Sequence, residues 1–332
     1  MMDLSTSYLG FRFAHPLLPG ASPLGADMDS IRRLEDAGAP AITLPSLFEE
    51  QILADDHGRL HHLSAHEDAH AEARSYFPMA NEFSLGPERY LTHITRVRDA
   101  VDVPVIASLN GTSATGWLDF ARSIEQAGAD ALELNFYHVA THLDESGAAV
   151  EERLLEIVRE VRAHVRLPIA VKLSPFFSSI AHLSRELSAA GANGLVLFNR
   201  FYQPDIDPEV LQAVPRLHLS HPDELLLRLR WLAVLSGRVD ASLAATGGVH
   251  DGIGALKAVM AGAHAVQVVA ALLINGPGHL AKMRRELAHW LEEREYDSLE
   301  QAQGSMSLLR CPDPESFERG NYMKILQTWK VR

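Results

Sequence analysis

Short apolar segments alternate with longer amphipathic segments along most of this 332-residue chain. The short segments are rich in Val, Ile, Leu and Ala with little polar alternation, which is typical of strands buried on both faces of a parallel sheet. Eight such segments are predicted to be strands: Leu17–Ala21, Ala41–Leu44, Val103–Leu109, Ala131–Asn135, Ile169–Leu173, Gly194–Asn199, Ser242–Thr246 and Ala265–Ala270.

The segments between these strands carry apolar residues at positions i, i+3 and i+4, as in "WLDFARSIEQA" and "EERLLEIVREVRAHV", and are predicted to be helices. Four of the helices end in a shared phrase: "EDAGAPAITL", "EQAGADALEL", "SAAGANGLVL" and "VMAGAHAVQV". In each phrase a Gly-Ala pair follows the helix, and an apolar run begins shortly afterwards. We therefore expect a left-handed C′ residue at each of these glycines, Gly38, Gly128, Gly191 and Gly262.

Eight alternations of strand and helix predict an α/β fold of the (β/α)8 TIM-barrel type. An open, doubly wound sheet is the alternative, and the eight-fold count disfavours it. We expect residues 1–295 to form the barrel, with a long insertion after the second strand, at about residues 47–86, that serves as a lid or binding loop. Residues 296–332 are predicted to be a C-terminal extension, on the surface or in an oligomer contact. Packing back against the barrel is the alternative for this extension.

Composition and charge narrow the possible partners. No apolar run is long enough to span a bilayer, and the N-terminus lacks the basic start and apolar core of a secretory signal. The only cysteine, Cys311, has no partner for an internal disulfide, which agrees with a reducing compartment. A formal net charge of −13 disfavours nucleic acid as a partner. These observations predict a cytoplasmic protein that neither spans a membrane nor binds nucleic acid.

Polar residues stand where the predicted strands end. Asn135, Lys172 and Asn199 close the fourth, fifth and sixth strands, and a Gly247-Gly248 turn follows the seventh. In barrel enzymes the active site lies at the carboxyl ends of the strands, and a phosphate commonly binds near strands seven and eight. A ring of neutral amides with one cation suits a flat polar ligand that needs many hydrogen bonds.

These residues resemble a known family, the class 1 dihydroorotate dehydrogenase-like flavoproteins, which are FMN-binding (β/α)8 barrels. The similarity extends from about Leu17 to Glu293. It rests on Asn81 in the insertion and on the segments "LLPGASPLG", "ELN", "LPIAVKLSP", "LFN", "ATGGV" and "VQVVAALLINGPG". The resemblance implies an FMN-dependent oxidoreductase that forms a homodimer.

The resemblance also implies roles for individual residues. Ala21 and Ser22 would line the isoalloxazine ring, and Lys172 would contact the pyrimidine edge of the flavin, where a cation raises its electron affinity. The FMN phosphate would be held by Gly247, Gly248, Val269 and Ala270. A planar substrate would lie over the flavin beside Asn81, Asn135 and Asn199, of which Asn135 and Asn199 also border the cofactor.

The sequence departs from the family pattern after the fourth strand. The family has Asn-x-Ser-Cys-Pro-Asn, in which the cysteine is the general base, whereas this chain has "NFYHVA". His138 takes the cysteine position, and an imidazole is a competent general base near neutral pH. Tyr137 is a second proton donor, and Ala140 replaces an asparagine that binds substrate. A histidine that only caps or packs is the alternative for His138.

Other departures concern the substrate and phosphate contacts. The lysine that the family carries after the second strand is replaced by "LPS", and a Gly-Thr near the phosphate is Val269-Ala270. Arg200 is an additional cation that would bind a substrate carboxylate through its fork of donors, with a solvated arginine as the alternative. We therefore expect a small planar amide or carbonyl substrate and regard dihydroorotate itself as doubtful.

Two competing hypotheses remain from the sequence. A barrel that has lost flavin chemistry and acts as a binding or scaffold protein is the alternative function. His62, His66 and His70 in the insertion would share a helix face and bind a divalent metal, but no ligand cluster follows the strands, so no metal is expected.

Overall fold

The computed structural model describes residues 2–52, 86–111, 114–200, 202–214 and 217–328, with the backbone alone for residues 114–117. Eight parallel strands form the central sheet in the order β3-β12-β11-β8-β7-β6-β5-β4. Together with the helices that alternate with them, they form a (β/α)8 barrel, which confirms the predicted fold class. The strands are β3 (Leu17–Pro19), β4 (Ile42–Phe48), β5 (Val105–Gly111), β6 (Ala131–Phe136), β7 (Ile169–Leu173), β8 (Gly194–Leu197), β11 (Ser242–Thr246) and β12 (Ala265–Val268).

The remaining described elements surround the barrel or close its ends. The two antiparallel hairpins are β1 (Thr6–Tyr8) with β2 (Phe11–Phe13) and β9 (Asp205–Asp207) with β10 (Gln212–Val214). The α-helices are α1 (Met28–Asp36), α2 (Pro87–Arg98), α3 (Ala114–Gln126), α4 (Gly147–His164), α5 (Ile180–Ala189), α6 (Leu225–Leu235), α7 (Gly252–Ala261), α8 (Ala270–Asn275), α9 (His279–Glu293), α10 (Leu299–Ala302) and α11 (Gly320–Thr328).

All eight predicted strands are present, with differences at their ends. β7 and β11 have the predicted bounds, whereas β3, β8 and β12 end two residues earlier than predicted. β4 was predicted to end at Leu44 and instead continues to Phe48, beyond a register shift between Thr43 and Ser46. The predicted left-handed glycines are confirmed, with φ from 90° to 120° at Gly38, Gly128, Gly191 and Gly262.

The register shift in β4 leaves a gap in the strand pairing that a tyrosine fills. Pro45 lies within the shifted segment and has no N–H to donate to β5. On the β5 side, the Ser108 N–H donates to the Tyr90 hydroxyl over 2.8 Å, and that hydroxyl donates to the Ser108 carbonyl over 3.1 Å. The buried Tyr90 of α2 therefore satisfies backbone groups that the neighbouring strand does not reach.

The first hairpin closes the amino-terminal end of the barrel. Tyr8 and Leu9 at its turn, with Phe13 of β2, pack against inward-facing residues of the barrel strands. The Leu9 N–H donates to Ser242 Oγ over 3.2 Å, and Thr6 Oγ1 donates to the His264 carbonyl over 2.8 Å. Because the apolar plug excludes water from below, a ligand in the barrel is expected to enter from the carboxyl ends of the strands.

Two segments, the insertion after the second barrel strand and the C-terminal extension, lie outside the eight βα repeats. Most of the insertion, from residue 53 to residue 85, lies outside the described residues. In the C-terminal extension, Leu299 and Ala302 are buried in the main core, and the Leu308 N–H donates to the Ala233 carbonyl over 2.9 Å. The first part of this extension thus packs against the barrel helices. The division of the chain at residue 295 stays a prediction.

Candidate functional site

The inward-facing side chains change from apolar to polar along the barrel strands. Residues of alternate parity face the interior, because successive side chains of a strand point to opposite faces. On β6 the inward series is Ala131, Glu133 and Asn135, and all three are buried. On β7 the corresponding series runs from Ala170 to Lys172. The carboxyl end of the barrel is therefore the polar end, where the candidate site lies.

Three polar side chains form a closed network in the middle of the barrel. Lys172 Nζ donates to Glu133 Oε1 over 3.1 Å and to Gln267 Oε1 over 3.3 Å, and Gln267 Nε2 donates to Glu133 Oε2. Glu133 is fully buried and the other two side chains nearly so. An ammonium group has three N–H donors. Since the described residues accept two of them, the third remains for an acceptor on the carboxyl side.

Asn135 and Asn199 lie next to this network at the carboxyl ends of β6 and β8. Asn199 Nδ2 donates to Asn135 Oδ1 over 2.7 Å, and Asn135 is paired in register with Lys172 on β7. The two predicted asparagines and the lysine are thus brought together by the structure. One amide hydrogen bond fixes their orientation, and the remaining donors and acceptors stay available for a ligand.

The turn after β11 combines two glycines with a buried arginine. Gly247 and Gly248 have φ of 87° and 79°, a conformation that favours glycine. The Arg228 Nε donates to the Thr246 carbonyl over 2.9 Å, and a Cβ at Gly247 would lie 2.9 Å from Arg228 Nη2. Burial lowers the pKa of Arg228 from its ordinary value, but a guanidinium stays charged in proteins. This turn therefore offers backbone donors beside a fixed positive charge.

The ends of β3 and β12 approach one another closely. The Gly20 N–H donates to the Val268 carbonyl over 3.1 Å, and a Cβ at Gly20 would lie only 2.8 Å from Val269 Cγ2. A side chain at position 20 would therefore displace Val269, and Ala21, the next residue, is partly buried. Ser22 is buried and its side chain does not cap the short helical turn that follows it.

His138 is held by a carboxylate that the sequence analysis did not identify. Its Nε2 lies 3.0 Å from Glu145 Oε2, while Arg153 Nη2 donates to Glu145 Oε1 over 2.5 Å. The hydrogen bond with His138, followed by that with Arg153, lowers the pKa of Glu145 from its ordinary value. At neutral pH Glu145 is therefore a carboxylate that accepts an N–H from the imidazole and fixes the ring orientation. Tyr137, the neighbouring candidate, is partly buried.

Arg200 is partly occupied by neighbouring side chains. Its Nη2 lies 3.6 Å from Glu224 Oε1, and its Cζ lies 5.6 Å from the centre of the Tyr202 ring. Glu224 also lies 3.9 Å from Arg228 through Oε2, so one carboxylate is shared by two arginines. Arg200 therefore retains donor capacity for a second anion.

Two sets of predicted residues cannot be placed. Asn81 and the insertion histidines, including His62, His66 and His70, lie outside the described residues. Within the described ranges, no group of three or more His, Cys, Asp or Glu side chains is arranged to hold a metal ion. The helices in these ranges also include none that is long and apolar enough to cross a membrane.

Comparison with known proteins assigns the family. The model of the dihydroorotate dehydrogenase family matches residues 82–291, which is more than half of the chain. This protein belongs to the dihydroorotate dehydrogenase family. The matched region begins just before α2 and contains six of the eight barrel strands, all except β3 and β4. It includes Asn135, Lys172, Asn199 and the Gly247-Gly248 turn.

Individual members of the dihydroorotate dehydrogenase family align over most of the chain. The catalytic subunit of dihydroorotate dehydrogenase B (NAD(+)) from Thermoplasma volcanium is 25% identical over 312 residues, 92% of this chain and 98% of the relative. The subunit of the same name from Shouchella clausii is 28% identical over 208 residues, 60% of this chain and 67% of the relative. The NAD-dependent dihydropyrimidine dehydrogenase subunit PreA of Escherichia coli K12 is 23% identical over 317 residues, 91% of this chain and 76% of the relative.

Four residues of this dihydroorotate dehydrogenase family member were missed by the sequence analysis. Glu133 lies two residues before Asn135 on β6 and therefore points to the same face of the strand. Gln267 points into the barrel from β12. Counting alternate residues along these two strands would have placed both side chains inside the barrel. Arg228 lies on the buried face of α6, where an apolar residue is expected. A charged residue at an apolar position of the helical pattern is the signal that could have identified it. The fourth, Glu145, lies in a segment without regular structure, and no periodic pattern identifies it.

Proposed function

We propose that this protein is an FMN-dependent oxidoreductase that transfers a hydride between the flavin and a small planar substrate with an amide or carbonyl group. The single observation that carries the proposal is the cluster of Lys172, Asn135 and Asn199 at the polar end of the barrel. This cluster offers one buried cation and two oriented amides on the side from which a ligand enters. Family membership supports the reaction class, because the aligned relatives are named as dehydrogenases.

The residues present fit a flavin in this position. The third donor of Lys172 would reach the pyrimidine edge of the ring system, which carries the negative charge of a reduced flavin. Ala21 and Ser22 would line the ring system, with Asn135 and Asn199 on its border. Lys172 would favour the reduced state electrostatically and would fix the ring plane.

The phosphate of FMN would lie at the ends of the last two barrel strands. Gly247 and Gly248 would supply backbone N–H groups without side-chain obstruction, and Val269 directly precedes α8, which begins at Ala270. The buried Arg228 adds a fixed positive charge next to Gly247. An anion is stabilised where donors and a cation converge away from water.

The substrate would lie above the flavin between amide side chains. Asn135 and Asn199, with Asn81 from the insertion, would both donate to and accept from an amide or carbonyl group. Arg200 would bind a carboxylate if the substrate carries one. Because Ala140 replaces an asparagine of the family pattern, we propose that the physiological substrate differs from dihydroorotate.

His138 would move the proton that accompanies hydride transfer. The carboxylate of Glu145 fixes the imidazole through Nε2, which leaves Nδ1 as the atom that exchanges a proton with the substrate. Tyr137 is the second candidate for this proton. The pair His138 and Glu145 would thus replace the cysteine of the family pattern with an oriented imidazole.

Cofactor binding is the first test of the proposal. Purified protein is expected to carry FMN without a covalent bond, with absorbance in the flavin bands and release of FMN on denaturation. Protein that is colourless and takes up no added FMN would contradict the proposal and favour the binding or scaffold alternative.

Two substitutions separate the cofactor role from the substrate role. Lys172→Ala is expected to weaken FMN binding or slow flavin reduction, because it removes the cation at the pyrimidine edge. His138→Ala is expected to retain FMN and to lose most turnover, by roughly 10²–10⁴-fold for loss of an acid-base group. Equal loss of FMN in both variants would contradict this division of roles.

The assembly state and the substrate need separate measurements. We propose a homodimer, and light scattering that gives the monomer mass at micromolar concentration would exclude it. Stopped-flow reduction of the bound flavin by dihydroorotate is expected to be slow or absent. Reduction at an ordinary enzymatic rate, on the order of ten per second, would show that Ala140 and the other departures do not exclude this substrate.

A further inference from the structure

Glu133 is the most deeply buried charged side chain of the network in the barrel. It lies on β6 two residues before Asn135, on the amino-terminal side of the candidate site. Together with Lys172 and Gln267 it forms a triangle in which each side chain contacts the other two. The three residues belong to β6, β7 and β12, so the triangle crosses the interior of the barrel. Its members are separated by 39 and 134 positions in the chain.

The triangle fixes the position of the Lys172 ammonium group and partly cancels the electric field of its positive charge. A flexible lysine chain has many rotamers, and two acceptors below it restrict the ammonium to one position. The Glu133 carboxylate is an opposite charge 3.1 Å from that ammonium, and it is fully shielded from water. Charges in a shielded interior act over longer distances than charges in water. A group above Lys172 therefore experiences the pair and not an isolated cation.

We propose that Glu133 is a positioning residue that holds Lys172 against the flavin and, by compensating its charge, lowers the reduction potential of the bound FMN. The proposal rests on the proposed function, since it concerns the cofactor of that site. Reduction adds negative charge to the flavin ring. A carboxylate behind the lysine offsets part of the stabilisation that the lysine gives to the reduced state. The network thus holds Lys172 in contact with the flavin and limits the rise in the electron affinity of the flavin that the lysine would cause alone.

The first arm of the experiment measures the midpoint potential of FMN in the holoprotein. Glu133→Gln removes the negative charge with almost no change in shape and is expected to shift the potential to a more positive value. The double substitution Glu133→Gln with Gln267→Glu moves the carboxylate to the other acceptor in the triangle, and the potential should return toward that of the unsubstituted protein. Tyr8→Phe, a neutral change in the same barrel interior, is the matched control and should leave the potential unchanged.

A second charge variant keeps the test decisive if Glu133→Gln does not fold. Glu133→Asp keeps the negative charge but withdraws it from Lys172 by one methylene, so it is expected to shift the potential in the positive direction by less than Glu133→Gln. An unchanged or oppositely shifted potential in the folded charge variants would overturn the inference. So would a failure of the double substitution to restore the potential, because a purely structural role does not depend on charge.

The second arm uses flavin-free protein and measures melting temperature. Glu133→Gln and Lys172→Met are each expected to lower it, because each leaves a buried partner without its opposite charge. The double variant should lose less than the sum of the two single losses, since neither charge is then left unpaired. Additive losses would overturn the coupling. Wild-type protein that binds no FMN would instead overturn the proposed function, so the two failures are distinguishable.

Discussion

Replacing Tyr8 with phenylalanine is predicted to stabilise the protein, although Tyr8 is almost completely buried in the plug of the barrel. Its hydroxyl is buried and has no hydrogen-bond partner among the described residues. Burial raises the pKa of Tyr8 well above its ordinary value, and the negative charge of Glu133 raises it further. The hydroxyl is therefore neutral at any practical pH, and its removal changes no charge.

The expected magnitude follows from the cost of burying a polar group. A buried hydroxyl without a partner costs roughly 1–3 kcal/mol, so Tyr8→Phe is expected to gain about 1 kcal/mol after some local relaxation. Tyr90→Phe is a matched control, because Tyr90 is equally buried but its hydroxyl bonds with both backbone groups of Ser108. Its loss leaves those groups unsatisfied and is expected to cost about 2–3 kcal/mol.

Thermal unfolding followed by circular dichroism distinguishes the two substitutions. At roughly 2–4 °C for each kcal/mol, the melting temperature should rise by about 2 °C for Tyr8→Phe and fall by several degrees for Tyr90→Phe. A fall of similar size in both variants would refute the reasoning. It would mean that the Tyr8 hydroxyl makes an interaction worth as much as the paired hydroxyl of Tyr90.

Two further predictions concern pH and backbone conformation. Burial lowers the pKa of His15 from 6.5 to about 4. Between these two pH values the imidazole is protonated in the unfolded state and neutral in the folded state. Stability should therefore decrease by about 3 kcal/mol between pH 6.5 and 4, and His15→Gln should flatten that slope in denaturant titrations; an unchanged slope would contradict the assignment. Gly248→Ala should lower both stability and FMN affinity, because its Cβ would lie 2.5 Å from the Leu225 backbone nitrogen at a φ of 79°. Gly147→Ala, with no atom within 4 Å of its Cβ, is the control, and equal losses in both variants would refute the argument.

The repeat pattern made the barrel predictable from the sequence. Each βα unit is a local pattern of apolar periodicity, and four of the units end in a glycine turn, so eight strands were found without knowledge of their contacts. The strand ends then placed Asn135, Lys172 and Asn199 on one side, and the structure brings these three together.

Long-range pairings were not predictable in the same way. The partners of Lys172 lie 39 and 95 positions away, and no local pattern records such pairs. The first hairpin has strands of only three residues, which are too short for a periodic pattern to identify. The link between His138 and Glu145 spans seven positions of irregular backbone, where neither helical nor strand spacing applies.

The plug of the barrel has a consequence for the order of events during synthesis. Strand β3 and the first hairpin are made before the other barrel strands, but β3 pairs with β12, and Thr6 bonds to His264. These contacts cannot form until β12, the last barrel strand in the sequence, has been made. The strands from β4 to β8 pair with sequence neighbours and can associate earlier. The amino-terminal segment, with apolar Tyr8, Leu9 and Phe13, must therefore wait longest for its partners, and it is the part of the nascent chain most exposed to misassociation.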